Sequence, residues 1–228
     1  MHQPPFASLL EETELAGWSS HRGFLGGGFH DWQLLEDGRV LASAGQASAT
    51  LPTDRLTLAL SAQAAQTSIR AHALHTDDAG TLLQLAARSL EFGDDGIQLS
   101  LAVSLIDGLG GEVNLAIAGD CLAWRVRASR WDELPCDQPP LGAEPNFPYV
   151  AEEFALSLRE RMILTADDSA RRSNRFAALV ALHFGKLDAE SHRRMTAADA
   201  LSIVQNHWER DAAADPRVTA NLIAVRRR

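Results

Sequence analysis

Two helical stretches in succession, with strand-like segments on both sides, constrain the fold of this chain more than any other feature. Residues 55–74 are rich in Ala, Leu and Gln and contain neither Gly nor Pro, so a helix is expected there. Residues 78–92 place Leu82, Leu85, Ala86 and Leu90 at helical spacing. Before this pair, residues 15–18 read as a strand, and residues 29–35 and 39–44 read as a hairpin. Glu36-Asp37-Gly38 forms its turn, because Asp-Gly tolerates positive φ. The segment Gly45-Gln46-Ala47-Ser48-Ala49-Thr50 is expected to open the long helix, with Pro52 marking its start. After the pair, Leu99, Leu101, Val103 and Leu105 alternate with small residues. Further strands are expected over residues 113–118, 122–126, 154–158, 162–166 and 220–225. A loop rich in Pro and acids covers 132–148. Late helices are expected in the second part of 168–183 and over 196–210, the latter capped by Thr196-Ala197-Ala198-Asp199. Strands on both sides of two central helices, without regular βαβ alternation, predict the α+β class.

The rest of the composition narrows the function. The 228 residues are 46% hydrophobic and 22% charged, the balance of an ordinary globular chain. A net charge of -9 argues against binding a nucleic-acid backbone. Arginines cluster at Arg125, Arg127 and Arg130, at Arg171, Arg172 and Arg175, and at Arg226, Arg227 and Arg228. Such clusters are either solvated surface or a site for an acidic or phosphorylated partner. Cys121 and Cys136 fit no zinc or redox spacing and read as two thiols in a reducing compartment. No signal-like or membrane-spanning run is present, so a cytoplasmic place and no membrane partner are expected. His72 and His75, with Asp77 and Asp78 nearby, lack a third ligand and read as a surface or packed pair. Asp94-Asp95 reads as a turn. Trp131, following an arginine in a loop, is a candidate for exposure at a contact surface.

Ordered along the chain are Gly26-Gly27-Gly28-Phe29-His30-Asp31, Gly45-Gln46-Ala47-Ser48-Ala49-Thr50, Ala118-Gly119-Asp120, Pro139-Pro140-Leu141-Gly142, Leu164-Thr165-Ala166-Asp167-Asp168 and Asn221-Leu222-Ile223-Ala224-Val225-Arg226. This series resembles the SpoIIE-like branch of the metal-dependent, PPM-type serine/threonine protein phosphatases. The resemblance covers nearly the whole chain, with residues 1–13 an N-terminal extension and 14–228 a single domain. It implies an antiparallel β-sandwich flanked by helices, with a two-cation site at one end. It also implies a magnesium- or manganese-dependent attack of water on phosphoserine.

Carried over position by position, the family's ligands are mostly missing. The first aspartate falls on Gly28, the bridging aspartate on Gln46 just after Gly45, and the last pair near Val218 and Thr219. One aspartate falls on Asp167, followed by Asp168, and Asp31 matches a trailing acid of the first motif. The resemblance therefore implies a degenerate phosphatase, inactive or very weak, with no cofactor expected. Such a chain would bind a phosphorylated or acidic regulatory protein of the anti-sigma-factor-antagonist type, or form a homodimer. The alternative is an active enzyme whose Mn or Mg site is built from Asp31, Asp167 and Asp168.

Overall fold

Alternation along one strand sets the layering. In β3 (Arg39–Ala49), Val40, Ala42 and Ala44 face one side, and Leu41 and Ala47 face the other; all five are buried. A strand buried on both faces must lie between two other layers. The computed structural model describes residues 13–20, 27–90, 96–127, 130–134, 137–167, 174–212 and 220–228. Within them, one sheet has the order β2 (Gly28–Leu34), β3, β4 (Ile97–Asp107), β5 (Glu112–Ala118) and β8 (Glu152–Ala155). The other runs β1 (Thr13–Ser20), β10 (Ala220–Arg227), β9 (Arg161–Asp167), β6 (Leu122–Arg127) and β7 (Arg130–Leu134). Every pairing is antiparallel. This is the predicted antiparallel β-sandwich flanked by helices.

Three cores follow from that layering. Between the sheets, Val40, Ala42, Ala44 and Ile106 meet Met162, Leu164, Ile223 and Val225. The outer face of the first sheet packs Leu41, Leu99 and Leu101 against α1 (Arg55–His72) and α2 (Ala79–Ser89). The outer face of the second packs Trp124 and Leu222 against α3 (Asn174–Gly185) and α5 (Ala197–Ala212).

Caps fix where the helices begin. The Asp54 carboxylate accepts the Thr57 N–H at 2.9 Å, so α1 starts at Arg55 rather than at Pro52. Asp78 caps α2 in the same way through Thr81. Thr196 and Asp199 exchange backbone bonds at 3.1 and 2.8 Å, the expected capping box of α5. The short helix α4 (Ala189–Arg194), capped by Asp188, carries no sequence signal strong enough to have been expected.

Two local expectations are corrected. Residues 45–49 do not open the helix: Gly45 pairs with Leu101 and Ala49 with Ile97, so β3 continues to Ala49. The small side chains there read as helical, but the cross-strand ladder decides. The acidic loop begins with β7, paired with β6. Trp131 is accordingly half-buried against the helix-side core, with its ring 5.0 Å from Trp124 and 4.9 Å from Phe184. Cys121 is buried beside the Ala44 carbonyl, whereas Cys136, Asp94, Asp95, Arg171 and Arg172 lie outside the described residues.

Charged side chains cross-link the second sheet and tie it to α4 and α5. Arg125 binds Glu160, while Arg127 and Arg130 share Asp132. Arg161 is fully buried, and its guanidinium donates to the Met195 and His192 carbonyls at the end of α4; burial pushes it down to about 10. Glu14 accepts from Arg226, the Ala197 N–H and Arg228. Burial pushes its carboxyl up, but those bonds outweigh it and hold the group below the ordinary 4.5. The depressed native value means Glu14 adds stability above pH 4.5 that is lost as pH falls through that lower value. Glu14→Gln is therefore expected to flatten the pH dependence of urea unfolding as pH falls below 4.5. An unchanged slope there would refute the assignment.

Candidate functional site

The antiparallel register of β2 and β3 puts Gly28 directly opposite Gln46 and His30 opposite Ala44. Ala44 belongs to the core between the sheets, so period-2 alternation turns Gly28, His30 and Gln46 toward the facing sheet. There β1 and β10 present Ser19 opposite Asn221. These four side chains form one hydrogen-bonded chain. Asn221 Nδ2 donates to Gln46 Oε1 at 3.2 Å, and Ser19 Oγ donates to Asn221 Oδ1 at 2.9 Å. Ser19 has a single proton, which goes to Asn221, so in its 2.6 Å contact with His30 the hydroxyl oxygen accepts from Nδ1–H. Gln46 Nε2 donates onward to the Ala47 carbonyl at 3.2 Å.

Glycines make the room. A Cβ on Gly28 would lie 2.0 Å from Asn221 Nδ2 and 2.3 Å from Gln46 Oε1. A Cβ on Gly17 would lie 2.3 Å from His30 Cδ2. Gly45 serves the other face: its Cβ would meet Leu101 and the Phe29 ring.

Asp31 lies three residues beyond Gly28, so alternation turns it to the helix side, opposite Ser43. Its carboxylate is 1% exposed and is clasped by Nε and Nη2 of Arg70 on α1. The carboxylate in turn holds the Arg70 guanidinium above its ordinary value. Asp167 ends β9, its backbone opposite Ala220. Asp168, Val218 and Thr219 lie outside the described residues.

The other two motif segments are held to each other and to β4. Gly119 adopts φ 71°, and its N–H donates to the Gln138 carbonyl. The Asp120 N–H donates to Ser100 Oγ. Leu141 exchanges backbone bonds with Leu99 at 2.9 and 3.0 Å. His72 meets Ser89 Oγ at 2.8 Å, and Asp78 is the α2 cap.

Magnesium and manganese select carboxylate and other hard oxygen ligands, and carboxylates also offset their charge. The side chains described between Gly28 and Asn221 are two amides, a hydroxyl and an imidazole, bonded to one another. They do not fit a pair of dications. Among the described residues, no three of His, Cys, Asp or Glu come together. No described helix is long and apolar enough to cross a membrane.

Three residues of this chain of contacts, Ser19, His30 and Asn221, were not candidates on sequence. The one available signal was an amide inside an otherwise apolar terminal strand.

No protein-family model and no curated protein matches the sequence. Solved structures do match. The RsbU and RsbW domains of a Mycobacterium tuberculosis protein share a TM-score of 0.67 at 15% identity, over 95% of this chain and 60% of that one. The PP2C phosphatase domain of SpoIIE from Bacillus subtilis, with part of its regulatory domain, gives 0.71 at 10% identity, over 95% and 64%. The SiaA PP2C domain of Pseudomonas aeruginosa gives 0.71 at 15%, over 93% and 85%. The chain thus spans less than two thirds of the first two structures. At these identities the likeness establishes a shared fold.

Proposed function

We propose that this chain, which has the fold of the SpoIIE-like PP2C phosphatase domains, works as a protein-binding regulatory module rather than as a competent phosphatase. Residues 14–228 are read as its single functional unit. The observation that carries the reading is the amide pair Gln46–Asn221, standing where the sequence resemblance expects a charged, cation-bridging carboxylate. Two dications a few ångströms apart repel strongly unless anionic ligands offset them. A neutral glutamine oxygen already accepting a bond from Asn221 supplies no such charge.

The partner class follows from the fold's company. One matching structure holds RsbU and RsbW domains together, and another comes from the bacterial stressosome. By that likeness, the partner here is a phosphorylated or acidic regulatory protein in a phosphoserine signalling pathway, or a second phosphatase-fold chain. The competing reading, an enzyme using Asp31, Asp167 and Asp168 with manganese or magnesium, requires Asp31 to abandon Arg70 and leave the helix-facing side of β2.

Calorimetric titration with Mn2+ and Mg2+, paired with hydrolysis of a phosphoserine peptide, separates the two. The expected result is no micromolar cation site and no manganese-dependent release of phosphate. Two micromolar sites together with manganese-dependent turnover would overturn the proposal.

A further inference from the structure

We infer that Asn221 is a sealing residue: with Ser19, His30 and Gln46 it forms a hydrogen-bonded plug that joins the two sheets and fills the space an aspartate at position 28 would need. The two sheets are then tied at this point by hydrogen bonds, rather than separated by a ligand pocket that has merely lost its acids.

The geometry carries this in three steps. First, the chain of bonds crosses between the sheets twice. Ser19 and Asn221 belong to β1 and β10, and His30 and Gln46 to β2 and β3. The contacts His30–Ser19 at 2.6 Å and Asn221–Gln46 at 3.2 Å are the crossings. Ser19 to Asn221 at 2.9 Å closes them within one sheet, where the two residues are direct partners.

Second, the amide pair of the plug lies inside, while Ser19 and His30 are half-buried. Asn221 is 0% and Gln46 5% exposed. Buried amides are costly without partners. Here the Asn221 oxygen accepts from Ser19 and its nitrogen gives to Gln46, so the interior tolerates both polar groups.

Third, the space is matched on both sides. Gly28 yields to Asn221 and Gln46, and Gly17 yields to the His30 ring. A vacated pocket would leave room beside Gly28, but an added Cβ meets an amide nitrogen at 2.0 Å.

This inference stands on packing alone and holds whether or not the chain turns over substrate. The test is a double-mutant cycle of Gly28→Ala and Asn221→Ala, followed by urea unfolding in the presence of a chelator. In the wild-type background, Gly28→Ala is expected to raise the unfolding constant about thirtyfold, as overpacking does. In the Asn221→Ala background the same change is expected to cost less than about threefold, because the Asn221 amide is gone and the Gln46 oxygen, no longer held by it, can turn aside. If Gly28→Ala alone fails to fold, folding of the double variant shows the same rescue. Equal costs in both backgrounds, or a double variant that fails to fold while Asn221→Ala folds, would overturn the inference. A chain that hydrolyses phosphopeptide yet shows the coupling keeps the plug and loses the non-catalytic reading.

Discussion

Replacing Arg70 by Met is expected to remove about 3 kcal/mol of folding stability. The Asp31 carboxylate is 1% exposed, and Arg70 clasps both of its oxygens. Removing the cation leaves the buried anion without the Arg70 counter-charge, a change that costs ~3–5 kcal/mol in comparable sites. The Arg70 side chain is 43% exposed, so water can enter as it leaves, and the lower end applies. For a chain of this size, a 3 kcal/mol loss corresponds to a fall in melting temperature of roughly 6–12 °C.

The cost comes from the buried negative charge that Arg70 offsets rather than from the lost contact between α1 and β2. Asp31→Asn in the Arg70→Met background should therefore recover most of the stability, since the anion is gone. Calorimetric melting of the two variants beside wild type decides this. A Met variant that melts within about 1 °C of wild type would mean Asp31 has other sufficient support. A double variant no better than the single would mean that the bidentate contact itself carries the stability.

This pair also shows where reading the sequence stopped. The two central helices, the Asp-Gly hairpin and the Thr196–Asp199 cap were legible because each rests on local periodicity or a turn preference. The sandwich itself was legible only through the order of motif segments, since antiparallel partners far apart in sequence leave no local mark. Residues 45–49 were misread for that reason: Gln46, Ala47, Ser48 and Ala49 prefer a helix, and only the ladder with β4 makes them strand. Asp31 looked like a trailing member of a ligand set. Its spacing of three from Gly28 puts it on the opposite face of β2, where Arg70, 39 residues later, meets it. Gly28 and Gln46 were recognised as altered positions, but what fills the space between them was not. Asn221 and Ser19 are 202 residues apart, and no pattern in either segment announces that they meet.

That missed residue changes how a cation site could be rebuilt. Gly28→Asp alone is expected to destabilise the chain by more than about 4 kcal/mol, enough to prevent folding in a marginal protein. Its Cβ would collide with Asn221 and Gln46, and its carboxylate would be forced against the Gln46 carboxamide oxygen. Adding Gln46→Asp places a second anion beside the first and leaves the Asn221 amide in place.

Only a third change, Asn221→Ala, clears the volume in which a dication could join both carboxylates. In scanning calorimetry with excess Mn2+, the triple variant is therefore expected to melt higher than in chelator. At a hundred times the dissociation constant, the linkage gain is about 2.7 kcal/mol, or roughly 5–11 °C for a chain of this size. The double variant, with Asn221 retained, is expected to respond by less than half of that. An equal response from the double and triple variants would show that Asn221 is no obstacle. No response from either would show that two carboxylates at this end of the sandwich cannot hold a cation, however the space is arranged.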